Sequence, residues 1–204
     1  MKGQQVKLDF TKDYVLENDR VRIAPLNKGH IEPLSEISND AEIWKYFFEK
    51  GETVENLAIY VRSAIESRKS SKEYPFVVFD KKRKRYAGTT RFYEYSNELK
   101  TIKLGHTWYG KEFRGTGLNK HCKYLLFEFA FEQLGVHRIG FGAYADNYIS
   151  IAAMKSVGCQ TEGFLRNMFP SHNKKGRTDA ILMSILKKEW QQNIKSELKN
   201  KISA

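Results

Sequence analysis

Residues 111–126, KEFRGTGLNKHCKYLL, decide the fold because they join a glycine-rich turn to a helix. Gly115 and Gly117 allow the backbone to turn sharply and a ligand to approach it closely. Apolar residues then recur at helical spacing, at Leu118, Cys122, Leu125, Leu126 and Phe129. A helix that begins directly after such a turn presents unpaired amide N–H groups and the positive end of its dipole, which together bind anions. The stretch therefore predicts either a phosphate-binding cradle or an ordinary tight connection between a strand and a helix.

The segments on both sides of this turn predict a particular sheet. Residues 74–80, 86–95 and 101–109 are rich in aromatic and β-branched residues and are joined by short polar turns, which is typical of an antiparallel meander. The helix from Leu118 to about Leu134 ends at Gly135, and HRIGFGAYA, residues 137–145, predicts another strand. A strand-helix-strand crossover makes its two strands parallel, and ligands of open sheets bind beyond the carboxyl ends of such strands.

The remaining elements complete a mixed α+β order. VRIAPL, residues 21–26, predicts a strand, and residues 30–47 predict a helical region with a break near Ser38 to Asp40. Thr53 is the expected N-cap of a helix over residues 53–69. DNYISIAAMKSVG, residues 146–158, predicts a short helix, and residues 159–167 and 178–190 predict the last two strands. We expect a single domain over 1–204, with a core of about 15–190 and a basic C-terminal helix or tail.

Composition and charge limit the function classes. The 204 residues contain 35 Lys+Arg against 24 Asp+Glu, and the net charge of +11 favours acidic partners such as nucleic acid, ribosomes or a polyanionic cofactor. No apolar run approaches the roughly 20 residues that span a bilayer, and MKGQQVKLDF lacks the apolar core of a signal peptide, so we expect a cytoplasmic protein without membrane association. Cys122 and Cys159 lack metal-ligand spacing, and no metal site is expected.

Three stretches in a fixed order resemble one known family. They are GHTWYGKEFRGTGLNKHCKYLLFEFAFEQLGVHRI (105–139), DNYISIAAMKSVGCQTEGFLRN (146–167) and GRTDAILMSILKKEW (176–190). Together they resemble the GNAT N-acetyltransferase superfamily, in particular its RimJ/RimL-like branch of ribosomal-protein N-terminal acetyltransferases, from about Val21 to Trp190. The resemblance implies a mixed, mostly antiparallel central sheet flanked by helices and splayed between its fourth and fifth core strands. It also implies acetyl-CoA as the cofactor and an amine as the acceptor.

The resemblance assigns the cofactor contacts. The family's Q/R-x-x-G-x-G/A turn, whose amides hold the pyrophosphate, matches Arg114, Gly117 and Asn119, with Asn in place of the final small residue. The implied contacts along the turn are Phe113, Arg114, Gly115, Thr116, Gly117, Leu118 and Asn119, with Lys111, Arg114 and Lys120 as phosphate partners. A bulge in the fourth core strand would expose backbone groups of Thr107, Trp108 and Tyr109, which would pair with the pantetheine arm as an added strand does.

The resemblance also assigns catalytic roles. Asn147 matches a family residue that binds the pantetheine arm, and Ser150 matches one that protonates the leaving thiolate, with Tyr144 and Tyr148 as alternatives. Asn147 is equally a normal N-cap, and Ser150 is a common first-turn residue. The implied chemistry is direct attack of a neutral amine on the thioester, which requires a base because free amines are mostly protonated at neutral pH.

The base is left open between several groups. Related sequences carry Glu immediately before the I-G of the fourth core strand, whereas Lys103 stands there in this chain. Glu94, His106 and Glu112 are the candidates, and an ordered water is an alternative. His106 also has a structural interpretation, and the aromatic group at residues 44–48 belongs either to the core or to the wall of an acceptor site.

Three functions therefore compete. The first is acetyl transfer from acetyl-CoA to a primary amine, either a protein N-terminus or a small amino-acid-like molecule. The second is a non-catalytic acyl-CoA-binding or regulatory module, suggested by Lys103. The third is ribosome or nucleic-acid binding through basic surfaces such as KKRKR, residues 81–85, at a predicted hairpin tip. Both a monomer and a homodimer are compatible with the sequence.

Overall fold

Eight strands form one sheet in the computed structural model, which describes residues 6–171 and 175–203. The strands are β1 (Leu16–Glu17), β2 (Val21–Pro25), β3 (Glu73–Asp80), β4 (Arg85–Ser96), β5 (Thr101–Tyr109), β6 (Arg138–Tyr144), β7 (Gln160–Pro170) and β8 (Arg177–Leu186). The α-helices are α1 (Ile31–Ser38), α2 (Ala41–Trp44), α3 (Val54–Lys69), α4 (Leu118–Glu128), α5 (Tyr148–Ser156), α6 (Lys187–Glu189) and α7 (Lys195–Ser203). Short 3-10 turns cover Lys28–His30 and Lys111–Phe113, and π-helical turns cover Phe129–Gln133 and Trp190–Ile194.

The strand order is β1-β2-β3-β4-β5-β6-β8-β7, and every neighbouring pair except β5 and β6 is antiparallel. The α+β prediction of a mixed, mostly antiparallel sheet flanked by helices is therefore confirmed. The meander β3-β4-β5 and the parallel crossover through α4 also lie where the sequence predicted them. The two-residue β1 was missed, because so short a strand has no detectable hydrophobic period.

The central strands β5 and β6 separate soon after they begin. They pair only from Thr101 with Arg138 to Lys103 with Gly140. Beyond these three pairs β6 remains paired with β8 as far as Tyr144, while β5 remains paired with β4 as far as Tyr109. Counted from β2, these are the fourth and fifth core strands, and the predicted splay between them is confirmed. The two diverging edges border a wedge that we call the opening.

Helices cover both faces of the sheet because successive residues of a strand point to opposite sides. On one face the hydroxyl of Tyr60 in α3 contacts Thr89 Oγ1 at 3.3 Å. On the other face Phe92 packs against Phe129, which directly follows α4. Thr89 and Phe92 are both fully buried in β4. The meander is thus enclosed by α3 on one side and by α4 on the other.

The first helices begin where their capping residues predicted. Thr53 Oγ1 accepts a hydrogen bond from the Asn56 N–H at 3.2 Å and starts α3. The predicted break after α1 is also present, since Asp40 Oδ1 accepts from the Glu42 N–H at 3.1 Å and starts the short α2. Side-chain acceptors at these positions satisfy amides that the helix itself leaves free.

Two predicted boundaries are wrong. The last strand was expected to continue to Trp190, but β8 ends at Leu186, where the carboxylate of Glu189 accepts from the Leu186 N–H at 2.8 Å and begins a helix. The helix predicted to reach Leu134 is α-helical only to Glu128 and then widens into a π turn. In that turn Glu132 accepts from the indole N–H of Trp190 at 3.0 Å. Both differences are stabilised by contacts that are distant in sequence.

The basic hairpin at residues 81–84 is organised by a buried acid. Asp80 Oδ1 accepts from the N–H groups of Lys82 and Arg83 at 2.9 and 3.0 Å and pairs with the guanidinium of Arg20. These hydrogen bonds and the Arg20 ion pair hold the pKa of Asp80 below its usual value although burial acts in the opposite direction. A buried carboxylate that folds the turn explains the hairpin tip, and the basic side chains of residues 82–84 remain exposed.

Three expectations concern membrane spans, metal sites and the two cysteines. Across residues 6–171 and 175–203 no helix is long and apolar enough to cross a membrane. The same part of the chain contains no group of three or more His, Cys, Asp or Glu side chains that could hold a metal ion. Cys122 and Cys159 are both buried and unpaired as thiols. The first five residues of the MKGQQVKLDF segment lie outside the described residues.

Candidate active site

The glycine turn at the carboxyl end of β5 has a left-handed backbone. Gly115 and Gly117 adopt φ values of 71° and 81°, in the region that favours glycine. A Cβ atom added at either residue would meet no atom within 4 Å, so the space beside the turn is open. The buried side chains of Phe113 and Leu118 anchor the turn on both sides. At Gly115 and Gly117 a ligand can therefore approach the backbone groups directly.

The backbone N–H groups of this turn are unpaired. Among the described residues none of the five N–H groups from Gly115 to Asn119 has a hydrogen-bond acceptor, and the first helical bonds run from Lys120 and His121 to the carbonyl of Gly117 at 2.9 and 3.4 Å. No side chain caps α4. Five consecutive free donors at the positive end of a helix dipole are suited to an anion.

Two side chains, those of Arg114 and Asn119, fix this turn to its surroundings. Arg114 donates from Nε to the carbonyl of Tyr109 at 3.0 Å and pairs with Asp40 at 3.1 Å, so it joins β5 to the junction between α1 and α2. Asn119, the unexpected residue of the motif, accepts from the Tyr109 hydroxyl at 3.3 Å. Burial raises the pKa of that hydroxyl, which therefore acts as a donor. Lys111 is exposed and Lys120 is half-buried beside the turn.

A β-bulge lies in the middle of β5. Trp108 pairs with Thr89, but Gly105 pairs with Arg91, so His106 and Thr107 both stand opposite the single residue Thr90. His106 adopts a φ of 48° at this point. The bulge implied by the family resemblance is thus present, and it lies where β5 has already left β6.

The bulge leaves the backbone of β5 available at the opening. From Leu104 to Tyr109 β5 has no strand partner on the β6 side. The side chain of Trp108 is buried on the α3 face against Trp44, with ring centroids 5.3 Å apart. Thr107 Oγ1 lies 2.7 Å from Thr90 Oγ1 on the α4 face. The predicted cofactor contacts Thr107, Trp108 and Tyr109 therefore offer a main-chain edge without a strand partner rather than exposed side chains.

The three candidate bases differ in their partners. Glu94 is paired with Lys103 at 2.6 Å, and Glu112 with Arg85 at 2.5 Å. His106 lies at the bulge itself, with Nε2 at 4.0 Å from Glu73 Oε1. Burial and the nearby charge of Arg91 lower the pKa of His106 to about 4, against the opposing effect of Glu73. The imidazole is consequently neutral at pH 7.

A buried ion pair behind His106 was missed by sequence reasoning. Arg91 is only 2% exposed, donates from Nη1 to Glu73 Oε2 at 2.7 Å, and lies over the ring of Tyr60 at 4.4 Å. One signal was available, because Arg91 lies in the middle of a predicted strand, directly before the aromatic residues Phe92 and Tyr93. Buried arginine normally requires a carboxylate partner, but the sequence did not show which one.

The start of α5 faces the same opening from the β6 side. Asn147 Oδ1 accepts from the Ser150 N–H at 3.1 Å, so the predicted N-cap is confirmed. No acceptor for Asn147 Nδ2 occurs in the part of the chain that the structure describes. Ser150 is half-buried, Tyr148 is 75% exposed, and Tyr144 is stacked on Phe169 at 4.4 Å. Of the three candidate donors to the leaving thiolate, Ser150 is therefore better placed than Tyr144 or Tyr148.

The aromatic group after α2 divides between the two expected roles. Trp44 is fully buried and belongs to the core. Tyr46 reaches across to the other half of the sheet, where its hydroxyl donates to the carbonyl of Asp146 at 3.2 Å. Phe48 contacts Phe169 of β7 with ring centroids 6.0 Å apart. The loop between α2 and α3 thus joins both halves of the sheet across the opening.

Comparison with known proteins now identifies the family. Residues 20–160 match the family model described as "Acetyltransferase (GNAT) domain". The chain belongs to the GNAT acetyltransferase family. This agrees with the splayed sheet, the bulge and the unpaired turn described above.

Individual relatives of this GNAT acetyltransferase are distant. It is 24% identical over 155 residues to the uncharacterized N-acetyltransferase YnaD of Bacillus subtilis (strain 168), covering 76% of this chain and 86% of that protein. A GCN5-related N-acetyltransferase from Brucella melitensis has a TM-score of 0.84 at 22% identity, over 93% of this chain and 85% of that one. The ribosomal-protein-S5-alanine acetyltransferase from Vibrio fischeri has a TM-score of 0.70 at 17% identity, over 87% and 99%. The two structures share the fold of this acetyltransferase.

Proposed function

We propose that this acetyltransferase transfers an acetyl group from acetyl-CoA to a primary amine by direct attack of the amine on the thioester. One observation carries the proposal, namely the five unpaired N–H groups from Gly115 to Asn119 beside open space. These donors fit the pyrophosphate of coenzyme A, because an anion at a helix N-terminus is held by several backbone amides at once. The implied cofactor and the residues present therefore agree.

The β5 side of the opening would hold most of the cofactor, and the β6 side would contact its pantetheine arm. The turn from Phe113 to Asn119 would bind the pyrophosphate, with Lys111 and Lys120 beside it. The free backbone edge from Thr107 to Tyr109 would pair with the pantetheine amides in the manner of an added strand. Asn147 retains an amide N–H group for the same arm from the β6 side. Bound acetyl-CoA supplies an activated thioester carbonyl.

Side chains of the protein would accept the proton of the amine and donate a hydrogen bond to the departing sulfur. We assign the base to His106, because it lies at the bulge beside the opening, whereas Glu94 and Glu112 are paired with cations. Ser150 at the start of α5 is the proposed hydrogen-bond donor to the departing sulfur. The loop with Tyr46 and Phe48 would form the wall of the acceptor site and exclude water.

The acceptor and the cellular setting belong to the same proposal. A protein N-terminus, as in the RimJ/RimL-like branch, and a small amino-acid-like amine are the two acceptor classes, and the sequence motifs favour that branch. We further propose one domain over residues 1–204, a cytoplasmic location, and a monomer or homodimer. The exposed basic hairpin at residues 81–84 and the charge of +11 support a contact with the ribosome.

Thiol release tests the activity. The purified protein is incubated with acetyl-CoA and panels of peptides and small amines, and free CoA thiol is measured. We expect acceptor-dependent release that falls by about 100-fold in His106→Asn, the range for loss of a general base. His137→Asn, an exposed histidine, is the control and should be unchanged.

Two outcomes support the competing functions. Binding of acetyl-CoA without thiol release on any acceptor would favour the non-catalytic acyl-CoA-binding module. RNA binding that weakens steeply with salt, in the absence of acetyl-CoA binding, would favour the nucleic-acid or ribosome-binding protein.

A further inference from the structure

Lys123 is a buried cation that the proposed chemistry has not used. It belongs to α4, is only 6% exposed, and donates from Nζ to Thr107 Oγ1 at 3.2 Å. Thr107 is one of the two bulge residues of β5, so the ammonium group lies at the point where β5 has left β6. It approaches the opening from the α4 face.

The ammonium group of Lys123 lacks a counter-ion. Among the described residues no carboxylate oxygen lies within 4.0 Å of Nζ, and the hydrogen bond to Thr107 is its one polar contact. The other deeply buried cation, Arg91, is paired with Glu73. Buried charges are normally paired, because burial without a partner is costly. Lys123 is thus an exception that stability does not explain.

The titratable groups facing Lys123 are thiols. They are Cys122 on the same helix and Cys159 directly before β7, and burial raises the pKa of Cys122 to about 11 and that of Cys159 to about 12, so both are neutral at pH 7. Burial also lowers the pKa of Lys123 to about 8, which leaves the ammonium form predominant at neutral pH. The opening therefore has a net positive charge at its α4 side.

The two bulge residues point to opposite faces of the sheet. His106 lies against Tyr93 and Phe47 on the α3 face, whereas Thr107 contacts Lys123 on the α4 face. A base on the α3 face and a cation on the α4 face suit a displacement in which the amine enters from the α3 face. The leaving group would then depart towards the α4 face. Lys123 is on the departure side.

We propose that the ammonium group of Lys123 forms an ion pair with the CoA thiolate as it leaves. The amine nitrogen forms the new C–N bond, the C–S bond breaks with its electron pair going to sulfur, and the amine proton passes to His106 and then to solvent. The negative sulfur is stabilised by Lys123, with a hydrogen bond from the Ser150 hydroxyl, until it takes up a proton from solvent. This inference rests on the proposed function and adds a catalytic residue to it.

Proton release on ligand binding tests the ion pair without turnover. Binding of CoA and of acetyl-CoA is measured by calorimetry at about pH 7.5 in two buffers of different ionisation enthalpy. A free thiol with a pKa of about 8.5 is mostly protonated at this pH, so forming a bound thiolate releases protons. Acetyl-CoA has no thiol. The proteins are the native chain, Lys123→Met, and the control Lys155→Met, an exposed lysine of α5.

The ion pair predicts a difference between the two ligands. The native chain and Lys155→Met should release more protons with CoA than with acetyl-CoA, and Lys123→Met should bind both ligands with equal, small release. Lys123→Met should also melt at the same or a higher temperature, because it removes an unpaired buried charge. Its turnover should fall by about 100-fold while its affinity for acetyl-CoA is retained.

The outcomes separate this inference from the proposed function. Equal proton release with both ligands in the native chain, or an unchanged difference in Lys123→Met, would overturn the ion pair while acetyl-CoA binding still stood. A lower melting temperature of Lys123→Met with unchanged turnover would assign the lysine to structure alone. Absence of acetyl-CoA binding by the native chain would overturn the proposed function itself.

Discussion

Two helices begin beside the same opening, and their first turns are built in opposite ways. At the start of α5, Asn147 uses its side-chain oxygen to satisfy the Ser150 N–H and its carbonyl to satisfy the Ile151 N–H. At the start of α4, no side chain caps the helix, and the N–H groups from Gly115 to Asn119 are free. One helix end has a side-chain cap, and the other leaves five consecutive amides for a ligand.

The difference separates stability from function. A capped helix end contributes about 1 kcal/mol to folding, and α4 forgoes this contribution. Its turn is instead anchored by the buried side chains of Phe113 and Leu118 and by the contacts of Arg114. The cost of an uncapped end is explained if the free amides serve a bound anion. The following predictions test that contrast, from the largest effect to the smallest.

The largest effect is expected at the uncapped end. Gly117→Glu places a negative charge and a strained left-handed residue in the proposed phosphate cradle. Like charges in contact cost several kcal/mol, so acetyl-CoA binding should weaken by at least about 100-fold in calorimetry. The control is Gly176→Glu, where the glycine has a similar φ of 85° and equally open space but lies before β8. Equal binding losses in both variants would show that strain, not the cradle, is responsible.

A smaller effect is expected at the capped end. Asn147→Asp keeps the oxygen that accepts from Ser150 and favours the helix dipole, but removes the amide donor proposed for the pantetheine arm. It should melt like the native chain and bind acetyl-CoA about tenfold more weakly, the loss of one hydrogen bond. Asn147→Ala should in addition lose about 1 kcal/mol in the free energy of unfolding. If Asn147→Asp binds acetyl-CoA with native affinity, Asn147 acts only as the N-cap of α5.

The third prediction concerns stability instead of ligand binding, through the pH dependence that His106 confers. The pKa of His106 is lowered to about 4 in the folded chain, whereas an unfolded histidine titrates near 6.5. Between these values the unfolded state binds more protons, so stability is fully present above about pH 6.5 and declines as pH falls towards 4. His106→Asn, which tolerates the positive φ, should lose less stability between pH 7 and 5 in urea unfolding. Parallel losses in both proteins would contradict the lowered pKa.

Sequence reasoning succeeded where local chemistry determines the structure. The meander, the crossover, the caps at Thr53 and Asn147 and the glycine turn all follow from residues close together in the chain. The family resemblance was confirmed at the level of the GNAT fold and family. The assigned cofactor and catalytic residues remain predictions, although the structure brings Thr107, Gly117 and Asn147 to the edges of one opening.

The misses share a different cause. The ion pair of Arg91 with Glu73, the end of β8 at Leu186 and the π turn after α4 each depend on partners distant in sequence. Lys123 was the largest omission, because it lies outside the predicted apolar stripe of the helix, where a lysine is expected to face solvent. The charge of Lys123 is buried only because α4 packs against β5, where the ammonium group contacts Thr107.

The sequence by itself determined which backbone could form, since glycines, caps and alternating apolar residues act within a few bonds of where they stand. It thereby specified the parallel crossover and the unpaired amides of the turn. Only the tertiary structure decided which charges are buried, which carboxylates are already paired, and which side of the opening each bulge residue faces. Those properties depend on the removal of water and on contacts between segments far apart in the chain, and no local pattern encodes them.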